Sequence, residues 1–132
     1  FVHPLKHYEA LAKTFGAYAG DGGRVRFFGA YYKEECIGMN AIVFFGKTAT
    51  NLLSGVNRAH SNLKAANLLR WHAMQEAKKA GCETFDQWGV SERFAGVSAF
   101  KRGFGGEEIQ RTASLHLPFN APIYFVYRLL RK

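Results

Sequence analysis

Cysteine, acidic charge and long apolar runs are all scarce in this chain, and each scarcity excludes something. The only two cysteines, Cys36 and Cys82, lie far apart with no CxxC pair, so they read as buried reduced thiols rather than a disulfide scaffold. No apolar run approaches the about 18 residues that a membrane-spanning helix needs. There is no internal repeat, low-complexity tract or interdomain linker. Acidic residues number 10 against 18 Lys and Arg, a net charge of +8 that suits nucleic acid, phosphorylated substrates or anionic membrane surfaces. Also missing is an initiator Met: the chain starts Phe1-Val2-His3-Pro4, with no signal-peptide pattern, and reads as a piece of something longer. What is present is a core. Of 132 residues, 48% are hydrophobic and 15% aromatic, enough for one domain and too apolar for a disordered tail or fibrous repeat.

The spacing of apolar residues predicts a helix over 7–15, ended by Gly16 and the Gly20–Gly23 cluster. Strands follow over 24–32, 36–45 and 48–56, rich in aromatic and β-branched residues and separated by short polar turns. A polar, irregular stretch over 57–64 leads into a long helix over 65–80, with Ala66, Leu69, Ala73, Ala77 and Ala80 facing inward and Gly81 as its stop. A strand over 83–90, a short helix over 91–101 and two last strands over 109–117 and 123–130 complete the prediction. This is the element order of the GNAT-like (acyl-CoA N-acyltransferase) fold: α+β, with a mixed, mostly antiparallel sheet flanked by helices. The analogy is topological, and fold alone does not give function.

Enzymes of that fold which use CoA hold its pyrophosphate on bare backbone amides at a helix N-terminus, in a glycine-bearing loop. The corresponding segment here, Asn57 to Ala66, contains no glycine. That argues against CoA.

The most informative residues are Leu68-Leu69-Arg70-Trp71-His72-Ala73, Ala77-Lys78-Lys79-Ala80-Gly81, Phe85-Asp86-Gln87-Trp88-Gly89-Val90, and Gly96 followed by Phe100-Lys101-Arg102-Gly103-Phe104-Gly105-Gly106. In this order and spacing they resemble the Fem family of peptidoglycan-bridge aminoacyltransferases. The resemblance covers most of the chain. It implies transfer of an amino acid from aminoacyl-tRNA, the co-substrate, to an amine on the stem peptide of a peptidoglycan precursor, either UDP- or lipid-linked. It further implies no cofactor, no metal, a cytoplasmic location close to the membrane surface, and two GNAT-like domains. On that pattern residues 1–132 form a single domain, the C-terminal half, partnered by an N-terminal GNAT-like domain. The family's Thr-x-x-Arg stretch, associated with precursor phosphate, would lie upstream of Phe1.

Ester aminolysis passes through a tetrahedral oxyanion, which a fixed cationic donor stabilises. By its place in the FKxGF motif, Lys101 is the catalytic candidate that the resemblance implies. Read without the family, it is one of 18 basic residues. Phe100, Arg102, Gly103, Phe104 and Gly105 are candidate substrate-binding neighbours, the glycines allowing close backbone approach or simply turning helix into strand. Asp86 is either a base for the attacking amine or a structural residue that caps a turn or pairs with a nearby Arg. Trp88 and Phe104 either stack on a base of the tRNA acceptor end or belong to the core. Arg58 to Arg70 and the glycine-rich turn could share a surface facing tRNA phosphates. His3 and His7 lack a third ligand for a metal. His72, Ala66 and Asn51 depart from residues common in the family, so no role is carried over to them. The alternatives are a CoA-dependent N-acyltransferase, a non-catalytic tRNA- or polyanion-binding domain, and a relative acting on another acceptor.

Overall fold

The computed structural model describes residues 4–15, 24–110, 112 and 119–130. Helix α1 (Leu5–Phe15) lies against the first strand and buries none of its residues fully. Strands β1 (Arg24–Tyr32), β2 (Glu35–Phe45) and β3 (Thr48–Val56) form an antiparallel meander, and β4 (Thr84–Asp86) adds to β3 in parallel, giving the order β1-β2-β3-β4. Between β3 and β4 the chain passes through a 3₁₀ segment (Arg58–Leu63) and helix α2 (Ala65–Lys79). A crossover of this kind is what a parallel pairing requires. A 3₁₀ turn (Glu92–Phe94), α3 (Ala95–Arg102) and α4 (Ala121–Leu130) follow.

The core lies where α2 covers the sheet. Ile42, Phe44 and Ala49 pack with Ala73 and Ala77 at one end, and Ala30 and Ile37 with Ala65 and Leu69 at the other; Phe28 touches both groups. Small residues on α2 bring the helix backbone close to the strands, and Asn40 uses the approach to donate from its Nδ2 to the Leu69 carbonyl at 3.2 Å. The inward stripe of α2 is therefore 65, 69, 70, 73 and 77. Ala66 is only half-buried and Ala80, past the helix end, is exposed, so the expected stripe is off by one at its start and too long at its end.

Four other expectations need correction. Cys36 is exposed, not buried: a bulge beside Ala30 and Tyr31 turns Ile37 into the core and Cys36 out of it. Strand β4 has three residues, not the eight of 83–90, because Asp86 Oδ1 accepts from the Trp88 amide at 2.7 Å and Trp88 takes a left-handed φ of 62°, which turns the chain out of the sheet. Ile109 and Gln110 belong to no strand, and 111 and 113–118, the rest of the expected strand save 112, lie outside the described residues. Finally, 123–130 is helical. Asn120 Oδ1 accepts from the Ile123 amide at 3.2 Å as an N-terminal cap, and Pro122 sits in the first turn. Ile123, Val126, Tyr127 and Leu130 then recur at helical spacing, a period that outweighs the strand preference of the residue types. Among the described residues no helix is long and apolar enough to cross a membrane.

Candidate functional site

Strand β3 continues to Val56, but its pairing with β4 stops at Thr50 opposite Asp86. Beyond that point the two chains part. The carboxyl ends of parallel strands, where neighbouring connections diverge, are where open α/β sheets place ligands. The segment after β4, like the 3₁₀ segment and first turns of α2 that follow β3, lies toward the carboxyl ends of the two parallel strands.

Lys101 stands in the last turn of α3, half-buried. Its Nζ donates to the Gly89 carbonyl at 2.6 Å, which ties the side chain back to the loop after β4. Its own carbonyl accepts from Gln87 Nε2 at 3.3 Å, and Gln87 Oε1 accepts from Arg70 Nη1 at 3.2 Å. The Arg70 guanidinium also lies 5.6 Å from the centre of the Phe100 ring. Phe100 meets Phe104 edge-to-face at 5.2 Å, closing the turn on its apolar side. Desolvation lowers the Lys101 pKa, the nearby Arg70 charge lowers it further, and Asp86 works in the opposite direction. A more acidic ammonium is a stronger hydrogen-bond donor.

The predicted residues separate into four groups. Lys101, Phe100, Phe104 and Asp86 converge on this end of the sheet. Arg102 faces elsewhere: its guanidinium holds Glu108 through two hydrogen bonds, which raises its pKa and lowers that of Glu108. Trp88 is 57% exposed, standing off the core on its left-handed backbone. The glycine turn uses its freedom at Gly105 and Gly106, both at positive φ, whereas Gly103 has ordinary helical dihedrals. Gly103 instead has the Phe100 carbonyl 3.3 Å from where a Cβ would stand.

Of the members of this network, Gln87 carried no assigned role in the sequence, and Arg70 was expected on the basic surface facing tRNA phosphates. Arg70 is 4% exposed, so it cannot serve as a phosphate-facing residue; the basic surface expected over Arg58 to Arg70 ends before it. The signal was a cation set among the inward-facing residues of an otherwise small and apolar helix stripe. Ser91 and Ser98 were missed as well. The buried Ser98 hydroxyl accepts from the Ser91 amide and donates to the Ser91 carbonyl, both at 2.9 Å, docking α3 on the loop.

The segment at 57–64 closes on itself. Asn57 Oδ1 accepts from the Ala59 amide, the His60 and Lys64 amides bond to carbonyls within the segment, and Lys64 takes the left-handed conformation a glycine would favour. Glu35 holds it from outside, accepting from Asn57 Nδ2 and pairing with His60 Nε2, each at 3.1 Å. Among the described residues no three His, Cys, Asp or Glu side chains cluster closely enough to hold a metal ion.

Comparison with known proteins yields a family match and a set of fold matches. The model of the FemAB family matches residues 23–132. Aminoacyltransferase FemA of Staphylococcus aureus is 29% identical over 84 residues, covering 59% of this chain and 20% of that protein. The chain thus spans well under two thirds of the curated relative it matches. Among solved structures, a transcriptional regulator from Bacillus halodurans C-125 superposes with a TM-score of 0.67 at 18% identity, over 86% of this chain and 77% of the other. The aminoglycoside acetyltransferase AAC(6')-Iy, in complex with a bisubstrate analogue, gives 0.69 at 14%, over 88% and 82%. AAC(6')-IG from Acinetobacter haemolyticus gives 0.65 at 14%, over 91% and 86%. These likenesses establish the GNAT-like acyltransferase fold.

Proposed function

Because the chain belongs to the FemAB family, we propose that it is the C-terminal GNAT-like domain of a tRNA-dependent aminoacyltransferase. The reaction moves an amino acid from aminoacyl-tRNA to a stem-peptide amine of a peptidoglycan precursor, UDP- or lipid-linked, as a step in building an interpeptide bridge. The amine attacks the ester carbonyl and a tetrahedral oxyanion forms. The C–O bond to the terminal ribose then breaks, an amide remains, and the amine proton ends on the departing ribose oxygen.

The observation that carries this reading is the setting of Lys101. One of its N–H groups is fixed on the Gly89 carbonyl, so the ammonium is oriented before substrate arrives. Its lowered pKa strengthens donation to an oxyanion. Phe100 and Phe104 supply an apolar wall beside it, and the exposed Trp88 offers a ring for an acceptor-end base. Asp86 is engaged as the cap of the Trp88 turn, so its contribution is to shape the loop and to oppose the Arg70 field at Lys101.

The fold's usual CoA would need free amides in the segment at 57–64. Those of Ala59, His60 and Lys64 are spent internally, which counts against a pyrophosphate cradle there. No CoA and no metal enter this reading. The domain acts with an N-terminal GNAT-like partner, in the cytoplasm near the membrane surface, and the 132 residues alone are expected to be inactive.

The test is Lys101→Met in the full-length enzyme, assayed with aminoacyl-tRNA and a muropeptide precursor. Loss of an oxyanion donor costs roughly 10²–10³ in kcat, and that is the expected result. Unchanged turnover would leave a binding module without catalysis. Acetyl-CoA raising the melting temperature well above the effect of adenosine nucleotides would revive CoA-dependent acyl transfer.

A further inference from the structure

We propose that Arg70 and Gln87 are positioning residues for Lys101: together they form a strut from the buried face of α2, through the loop after β4, to the last turn of α3, and it fixes where the Lys101 ammonium stands. The inference rests on the transferase reading above. Its geometry is independent of that reading.

Three observations carry it. The first is continuity: Arg70 Nη1 to Gln87 Oε1 at 3.2 Å, then Gln87 Nε2 to the Lys101 carbonyl at 3.3 Å, with both ends of the Gln87 amide used. The carbonyl of Lys101 lies near the C-terminus of α3, where it also accepts from the Phe104 amide at 3.1 Å, so the Gln87 side chain adds a tie from the loop to the helix end. The second is the stacking of the Arg70 guanidinium near Phe100, the residue preceding Lys101. A planar fork can hold the ring and the amide at once, which a lysine ammonium cannot. The third is cost. Arg70 is 4% exposed and makes no ion pair with an acidic side chain among the described residues. A buried cation without a carboxylate opposes folding. Rules of this kind are broken at functional sites, and the partners that the structure gives Arg70, Gln87 and Phe100, both lead to the turn that bears Lys101.

The strut acts in two ways. It holds the α3 end against the loop, so that Gly89 and Lys101 keep their 2.6 Å contact. It also sets a positive charge beside the ammonium. Around Lys101 the charged groups that act on it are Arg70 from α2 and Asp86 from the end of β4; Arg102, next on its own helix, is taken up by Glu108.

Two variants of the full-length enzyme separate these effects, read by the pH titration of the Lys101 side-chain NMR signal and by steady-state transfer kinetics. Arg70→Gln removes the like charge, so the Lys101 titration moves to higher pH and the alkaline limb of the kcat profile moves with it. Gln87→Leu keeps the Arg70 charge but cuts both hydrogen bonds. There the titration moves little, while kcat falls about tenfold at unchanged KM, inside the roughly 10²-fold cost of an approximately 1 Å misplacement. If Arg70→Gln fails to fold, the Gln87→Leu kinetics decide. A folded Gln87→Leu enzyme with the parental kcat overturns the strut, as does an Arg70→Gln enzyme whose Lys101 titrates unchanged. A shifted titration in an enzyme whose turnover also survives Lys101→Met upholds the strut and overturns the transferase mechanism.

Discussion

The packing under α2 and the arc from Gln87 to Gly106 are neighbours held together by different forces. Under α2, cohesion is apolar: Ile42, Ala49 and Ala73 have no exposed surface, and few polar groups intrude. In the arc, α3 fully buries one residue, a serine, and the segment is located by hydrogen bonds: Ser91 with Ser98, Gln87 with Lys101, Lys101 with Gly89, Asp86 with the Trp88 amide. Apolar burial is strong but non-directional, whereas hydrogen bonds are individually modest and fix direction. The molecule thus places its stability in one region and its aim in the other. Substitutions should split accordingly, between global unfolding and local loss of position.

The largest expected effect lies under α2. Ile42 shares one buried cluster with Ala73 and Ala77, and α2 cannot collapse further onto strands it already packs against. Ile42→Ala should cost about 3 kcal/mol in urea denaturation, within the range for buried aliphatic truncations. All parts of the chain that report on the sheet should unfold together. A loss confined to α3 would mean that the two regions are not separate in the way argued.

Next comes Ser98→Ala, the corresponding change in the arc. It removes the acceptor for the Ser91 amide and the donor to the Ser91 carbonyl, at a site 2% exposed. The expected cost is about 2 kcal/mol. The place where it appears matters more than its size. Hydrogen exchange in α3 should accelerate while amides of β2 and α2 stay protected, since local opening need not involve the global transition. Uniform acceleration would merge the arc with the core.

The same contrast decides what was legible in the sequence. The meander and α2 were readable because burial on one face imposes a period, and the three strands of the meander agree with the expected ones to within a residue. The arc was readable as a motif around Lys101, but not as a structure. Its shape depends on side-chain-to-backbone bonds such as Asp86 to Trp88 and Gln87 to Lys101, which follow no period. Arg70 joins the two regions and was hidden for that reason: a lone cation in a helix reads as a solvated face until the sheet shows which side is buried. The C-terminal segment failed differently. Aromatic and β-branched residues at 123–130 suggested a strand, yet Asn120 and the spacing of Ile123, Val126, Tyr127 and Leu130 specify a helix.

The smallest effect concerns the rim of the stable region, where Glu76 on α2 bridges to Arg26 on β1 at 3.2 Å and to Lys79 one turn on at 2.8 Å. The Lys79 hydrogen bond above all, with charges on Lys79, His72 and Arg26, holds the Glu76 carboxyl below the usual carboxylate range. A depressed carboxylate binds fewer protons folded than unfolded, so its contribution is complete above its ordinary titration range and is lost as pH falls through the folded value. Glu76→Gln should therefore lower stability modestly near neutrality and leave little difference at low pH, flattening the acid side of the stability curve. Added salt should shrink the difference between parent and variant, because exposed partners are screened. The Arg26–Glu76 pair joins β1 to α2 at the rim of the apolar layer, so its share of the flattening should be seen in global unfolding. If it appears instead only in exchange of the arc, the boundary between the two regions runs through α2 itself rather than beyond it.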